Sequence, residues 1–191
     1  AHNRLSIIDL NKTGSQPMIS SKGNVLIYNG EIYNFRAIRE YLQRNYSIKF
    51  IGYSDTEVLL NLLEIEGVEN SIKKIHGMFS FCYLDKISNK IYFLRDRMGE
   101  KPLYYGYNND NFFFTSELKA LFGNKEFKPK ISKKSFNFIT TLNYIPAPFS
   151  VYDNIYKLQP SHYITYDLNL KFNQNINQCK YWHNKIKINK N

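Results

Sequence analysis

Apolar positions along the chain follow two rhythms, one helical and one alternating. In FRAIREYLQRNY, residues 35–46, Phe35, Ile38 and Leu42 share a face with charges between them, which predicts a helix. DTEVLLNLLEIE, residues 55–66, predicts a second, with Ser54 as its N-cap and Glu57 three residues on, the pattern of a capping box. Short β-branched or aromatic runs predict strands: LSIIDL (5–10), ending in the polar turn NKTGSQP, and NVLIYN (24–29). MFSFCYLD and KIYFLRD, joined by KISN, predict a hairpin, and RMGEKPLYYGYNNDNFFFTSE another strand–turn–strand. ELKALFG follows as a short helix closed by Gly123, and then come a helical piece, a proline-framed loop and two late strands. Repeated hairpins with a pair of helices after the second strand point to an α+β fold rather than a parallel βαβ sheet. No repeat or low-complexity linker divides the chain before its lysine-rich end.

Composition narrows the picture. The 191 residues suffice for one sizeable core, and 43% apolar and 16% aromatic content predicts a globular fold rather than disorder. No run approaches the roughly 18–20 apolar residues of a membrane span. The first residues, AHNRLSIID, already look like the middle of a structured domain, so a truncated N-terminus is expected. Cys82 and Cys179 form no CxxC spacing or disulfide framework, in keeping with a reducing cytoplasm. Cys82, within MFSFCYL, is expected to be a buried thiol, and Cys179 to lie in a polar loop near the end.

The formal charge of +10, with many tyrosines, invites a nucleic-acid reading. The lysines argue against it, because they scatter through KISNK, NKEFKPKISKK and KIKINKN, in turns and ends. No specific nucleic acid is expected as a partner. Neither GxxxxGK[ST] nor SGGxDS nor HExxH is present, and the four histidines are dispersed, so no phosphate loop and no metal site is expected.

Four segments carry candidate chemistry: HNRLSIID, YNGEIYN, SDTEV and RDRMGEKPLYY. Taken singly, each has an ordinary explanation. Arg4 could be a surface arginine, Asn29-Gly30 a type I′ hairpin turn, and Asp55 a charge in the first turn of its helix. Together they suit a small zwitterion and acyl transfer. An arginine fork takes a carboxylate bidentately, and an acid at a helix start meets an ammonium. An asparagine side chain with a glycine N–H could stabilise an oxyanion. Arg95, Asp96 and Arg97 are expected to be structural, in a buried salt-bridged turn.

These motifs resemble the class II glutamine amidotransferase domain of glutamine-hydrolysing asparagine synthetase, an N-terminal-nucleophile hydrolase. The resemblance runs in order through AHNRLSIIDLNKTGSQPM, YNGEIYNFRAIREYL, GYSDTEVLL, IHGMFSFCYLD, RDRMGEKPLYY, TSELKAL, YIPAP and KLQPSHY. It covers residues 1–182 as a glutaminase domain and leaves 183–191 as a basic tail or the start of a linker. The fold it implies is a four-layer sandwich of two antiparallel sheets flanked by helices, truncated at the N-terminus. It implies that Arg4 grips the glutamine α-carboxylate, with Leu5, Ser6, Ile7 and Ile8 lining the same wall. Asn29 and the Gly30 amide would form the oxyanion hole, Glu31 would help hold the amino-acid end, and Asp55 would bind the ammonium.

The family's nucleophile is an N-terminal cysteine, which residue 1, an alanine, does not supply. The expectation is therefore that this stretch alone binds glutamine poorly, does not hydrolyse it, and is poorly soluble without its missing strand. No cofactor is expected in the chain. ATP and Mg would belong to a synthetase domain of the same polypeptide, which with glutamine is the expected partner, homodimerisation being left open. Two alternatives remain: the same domain serving a sugar-acid amidotransferase of surface polysaccharide synthesis, or a catalytically dead binding domain.

Overall fold

The computed structural model describes residues 8–108, 111–125, 127–170 and 176–184. Its principal sheet has six antiparallel strands in the order β1-β2-β3-β4-β8-β9: β1 Met18–Ile19, β2 Val25–Ile32, β3 Gly77–Asp85, β4 Lys90–Arg95, β8 His162–Asp167 and β9 Ile176–Lys180. A second sheet holds β5 Tyr104–Asn108 between β6 Asn111–Thr115 and β7 Ile155–Lys157. The helices are α1 Phe35–Tyr46, α2 Asp55–Glu66, α3 Val68–Lys74 and α4 Lys133–Leu142.

Alternation along the strands builds the layers. On one face of the large sheet, Leu26, Tyr28, Ile32, Phe79, Phe81, Tyr83 and Leu94 pack against Ile38, Leu42, Leu59, Leu62 and Ile72 of α1–α3. From the other face, Phe93 and Ile164 meet Phe112, Phe114 and Tyr105 of the small sheet. Phe93 is the hub, its ring centred 5.0 Å from Phe112 and 4.8 Å from Phe114. Phe113 turns to the opposite side, where α4 is tied on by the Ser135 hydroxyl donating to the Ser150 carbonyl. The result is the expected α+β sandwich of two antiparallel sheets with helices.

Several elements depart from the sequence reading. The β2 strand does not stop at Asn29 but continues to Ile32, paired with β3 throughout. Residues 8–10 of the predicted first strand are not strand, because Asp9 instead accepts from Asn11 N–H, the Thr13 hydroxyl and Tyr53 N–H, closing a loop. Helix α3 was not foreseen. ELKALFG forms a 3-10 helix over Leu118–Gly123. Cys179 lies in β9, opposite Tyr163 of β8, rather than in a loop. Most of the predicted basic tail, residues 185–191, falls outside the described residues.

Candidate active site

Asn29 and Gly30 are not a hairpin turn. They sit inside β2, where Asn29 is registered opposite Ser80, Gly30 opposite Phe79 and Glu31 opposite Met78. Gly30 has φ +145°, and a Cβ there would lie 2.1 Å from the Met78 carbonyl oxygen. Gly77, two residues from Phe79 on the partner strand, is under the same constraint, its Cβ falling 2.0 Å from the Glu31 carbonyl. The two strands approach here as only glycines allow.

Hydrogen-bond direction fixes where the Gly30 amide points. Phe79 spends both its backbone groups on Asp96: its N–H donates to Asp96 Oδ2 at 3.3 Å, and its carbonyl accepts Asp96 N–H at 2.8 Å. Gly30–Phe79 is therefore a non-hydrogen-bonded pair of the ladder, and the Gly30 N–H is aimed at the opposite edge of β2. On that edge Tyr28 N–H donates to Gln16 Oε1 at 2.6 Å and Ile32 N–H to Asp55 Oδ2 at 3.1 Å. Since β1 pairs only with Val25 and Leu26, the Gly30 amide lies beyond its reach, between Gln16 and Asp55.

Asp55 opens α2. Ser54 caps that helix, its Oγ accepting Glu57 N–H at 3.2 Å. The Glu57 carboxylate does not complete the box on Ser54 but accepts Ile51 N–H at 2.7 Å and Gly52 N–H at 2.8 Å. With Arg39 donating to the Gly52 carbonyl and Asp9 accepting Tyr53 N–H, the loop before the helix is held from three sides. Asp55 itself is buried, and its Oδ2 also accepts the Tyr28 hydroxyl at 2.7 Å. Burial first, then the Asp55 charge, pushes the Tyr28 phenol far above its ordinary range.

Asn29 and Glu31 leave β2 on the other face from Tyr28, toward the space between the sheets. The exposed Tyr33 phenol is raised above its ordinary value, by desolvation first and then by the carboxylates of Glu100, Glu31 and Asp96. Of the predicted site, then, Asn29, Gly30, Glu31 and Asp55 gather along one stretch of β2 and the start of α2. Ile8 is half-buried, one residue before Asp9, while Arg4, Leu5, Ser6 and Ile7 lie outside the described residues.

The RDRMGEK turn is structural, as expected, but it is held by amides and carbonyls rather than salt bridges. Asp96, fully buried, accepts Met98, Glu100, Lys101 and Phe79 N–H groups. Arg95 donates to the carbonyls of Lys101, Leu158 and Gly99. Arg97 donates to the Ile75 carbonyl and lies over the Trp182 ring. The turn buttresses β3 directly opposite Gly30. The sequence motif signalled this turn, but not its partner on β3.

Burial pushes the Cys82 thiol up to about 12, which removes it as a nucleophile at neutral pH. A cavity of about 560 Å³ lined by Phe113, Lys128, Lys134, Phe149 and Tyr152 shares no residue with the β2 site. No cluster of metal-ligating side chains occurs among the described residues, and no helix among them is long and apolar enough to cross a membrane.

Comparison with known proteins identifies the family and the fold. The family described as glutamine amidotransferase domain matches residues 1–182. Asparagine synthetase [glutamine-hydrolyzing] 3 of Bacillus subtilis is 32% identical over 95% of the chain, which spans 29% of that protein. Asparagine synthetase [glutamine-hydrolyzing] 2 of the same organism is 33% identical over 95% of the chain and 24% of its own length. The chain thus covers less than a third of these relatives. In structure it resembles the glutamine phosphoribosylpyrophosphate amidotransferase of B. subtilis, with TM-score 0.61 and 19% identity over 88% of this chain and 32% of that one. It also resembles a glutamine aminotransferase class-II domain protein from Silicibacter pomeroyi, with TM-score 0.53 and 15% identity over 90% of this chain and 72% of that one.

Proposed function

Because the chain belongs to the glutamine amidotransferase domain family, we propose that it is the glutaminase part of a glutamine-dependent asparagine synthetase. The observation that carries this reading is the Gly30 N–H, aimed at the edge of β2 one residue pair from the Asp55 carboxylate. A donor for a developing oxyanion and an anion for an ammonium are then within the span of one amino acid.

In this reading an N-terminal cysteine of the intact polypeptide supplies the thiolate. It attacks the side-chain carboxamide carbon, Cδ, of glutamine, and the carbonyl oxygen becomes an oxyanion held by the Asn29 side-chain amide and the Gly30 N–H. Collapse expels the amide nitrogen, which takes a proton and leaves as ammonia. Water then cleaves the thioester, giving glutamate and free thiol. Asp55 binds the ammonium, Glu31 helps hold the amino-acid end, and Arg4 binds the α-carboxylate. The ammonia would pass to an aspartate activated by ATP in a synthetase part of the same polypeptide, which would hold ATP and Mg. The intact protein would work in the cytoplasm.

Asn29→Ala, assayed for glutaminase activity in the intact polypeptide, is expected to lower kcat on the order of a hundredfold by removing one oxyanion donor. An unchanged kcat would remove Asn29 from the site.

A further inference from the structure

We propose that Tyr28 is a positioning residue for the amino end of the substrate: its hydroxyl clamps one oxygen of Asp55 so that the other faces the ammonium. This rests on the glutamine reading above and assigns a role to a residue that reading leaves out.

The case begins with the two bonds to Asp55. Tyr28 Oη donates to Oδ2 at 2.7 Å and Ile32 N–H donates to the same oxygen at 3.1 Å. A carboxylate offers about four lone-pair sites, and these bonds occupy only Oδ2. An aspartate at the first position of a helix can otherwise rotate about two side-chain torsions, and two donors converging on one oxygen remove that freedom. Both donors belong to β2, the Tyr28 side chain two residues before Gly30 and the Ile32 backbone two residues after it. One strand thus sets the spacing between the oxyanion donor and the ammonium acceptor.

The phenol is suited to the task. Tyr28 is 3% exposed and packed in the helix-side core. Its raised pKa keeps it a donor at every physiological pH, whereas a phenolate would repel the carboxylate. Phenylalanine would keep the ring and its packing and delete only the hydroxyl, so Tyr28→Phe isolates the clamp.

The test compares glutaminase kinetics of the intact polypeptide on L-glutamine and on its des-amino analogue, 5-amino-5-oxopentanoate. KM, and the ratio of kcat/KM between the two amides, do not depend on the fraction of enzyme folded. Tyr28→Phe is expected to raise KM for glutamine about tenfold, the scale of a hydrogen bond to a charged group, with kcat held within about twofold. The preference for glutamine over the analogue should shrink by a similar factor, and Asp55→Ala should shrink it at least as far. If Tyr28→Phe leaves KM and preference intact while Asp55→Ala changes them, Tyr28 is a core residue only and the proposal is overturned. If neither variant alters the preference, Asp55 does not meet the ammonium, and the glutamine assignment of this site falls as well.

Discussion

A methyl group placed on Gly30 would lie 2.1 Å from the carbonyl oxygen of Met78 on the neighbouring strand. The contact is with backbone, so neither strand can yield without breaking its pairing. Gly30→Ala is therefore expected to cost about 2 kcal/mol or more, from overpacking and a φ that alanine rarely adopts. A urea unfolding curve of the variant checks this, and an unchanged midpoint would mean that β2 and β3 can separate locally.

Asp96 should be costly to neutralise. It accepts four backbone N–H groups in a site without solvent access. In Asp96→Asn, one amide nitrogen must face donors, leaving about 2–4 kcal/mol of unmet hydrogen bonding. Because Phe79 is among the donors, the variant should also lower glutaminase kcat, by loosening the strand opposite Gly30. Melting and kinetics of the same preparation separate the two effects.

The Ser54 cap predicts a smaller loss. Its Oγ satisfies Glu57 N–H, and Ser54→Ala should cost about 1 kcal/mol, read as a lower urea midpoint.

Alkaline pH should destabilise the fold. Burial raises Tyr28, Tyr83 and Tyr181 above their ordinary value of 10.0, and Cys82 to about 12 from 9.0. A raised pKa contributes stability that is full below the unfolded value and is lost as pH climbs toward the folded one. Stability should hold to about pH 9 and then fall, by about 1.4 kcal/mol per pH unit for each buried phenol that ionises only on unfolding. Urea midpoints from pH 8 to pH 11 check the slope, and a flat profile would show that these phenols titrate in the folded state.

Much of this architecture was legible because local signals agreed with tertiary demands. The spacing of Phe35, Ile38 and Leu42, and the Ser54 cap, gave α1 and α2 with their observed bounds. What stayed hidden depended on neighbours distant in sequence. Asn29-Gly30 has the local chemistry of a turn, and only the approach of Gly77 and Met78 makes it a crowded point in a continuous strand. Asp9 belongs to a β-branched run yet spends its carboxylate on a loop that includes Tyr53, 44 residues away. Seven-residue α3, entered through Gly67 at φ +74°, is too short for a helical period to stand out. At the site, Asn29, Gly30 and Asp55 could be named from motifs, whereas Tyr28 carried no signal beyond its place in one.

The most direct measurement is a crystal structure of the intact polypeptide with glutamine bound. The account predicts the ligand's ammonium at roughly 3 Å from an Asp55 carboxylate oxygen and its side-chain carboxamide oxygen at a similar distance from the Gly30 nitrogen. Glutamine seated elsewhere, for instance in the cavity between Phe113 and Lys134, with Gly30 and Asp55 untouched, would contradict it.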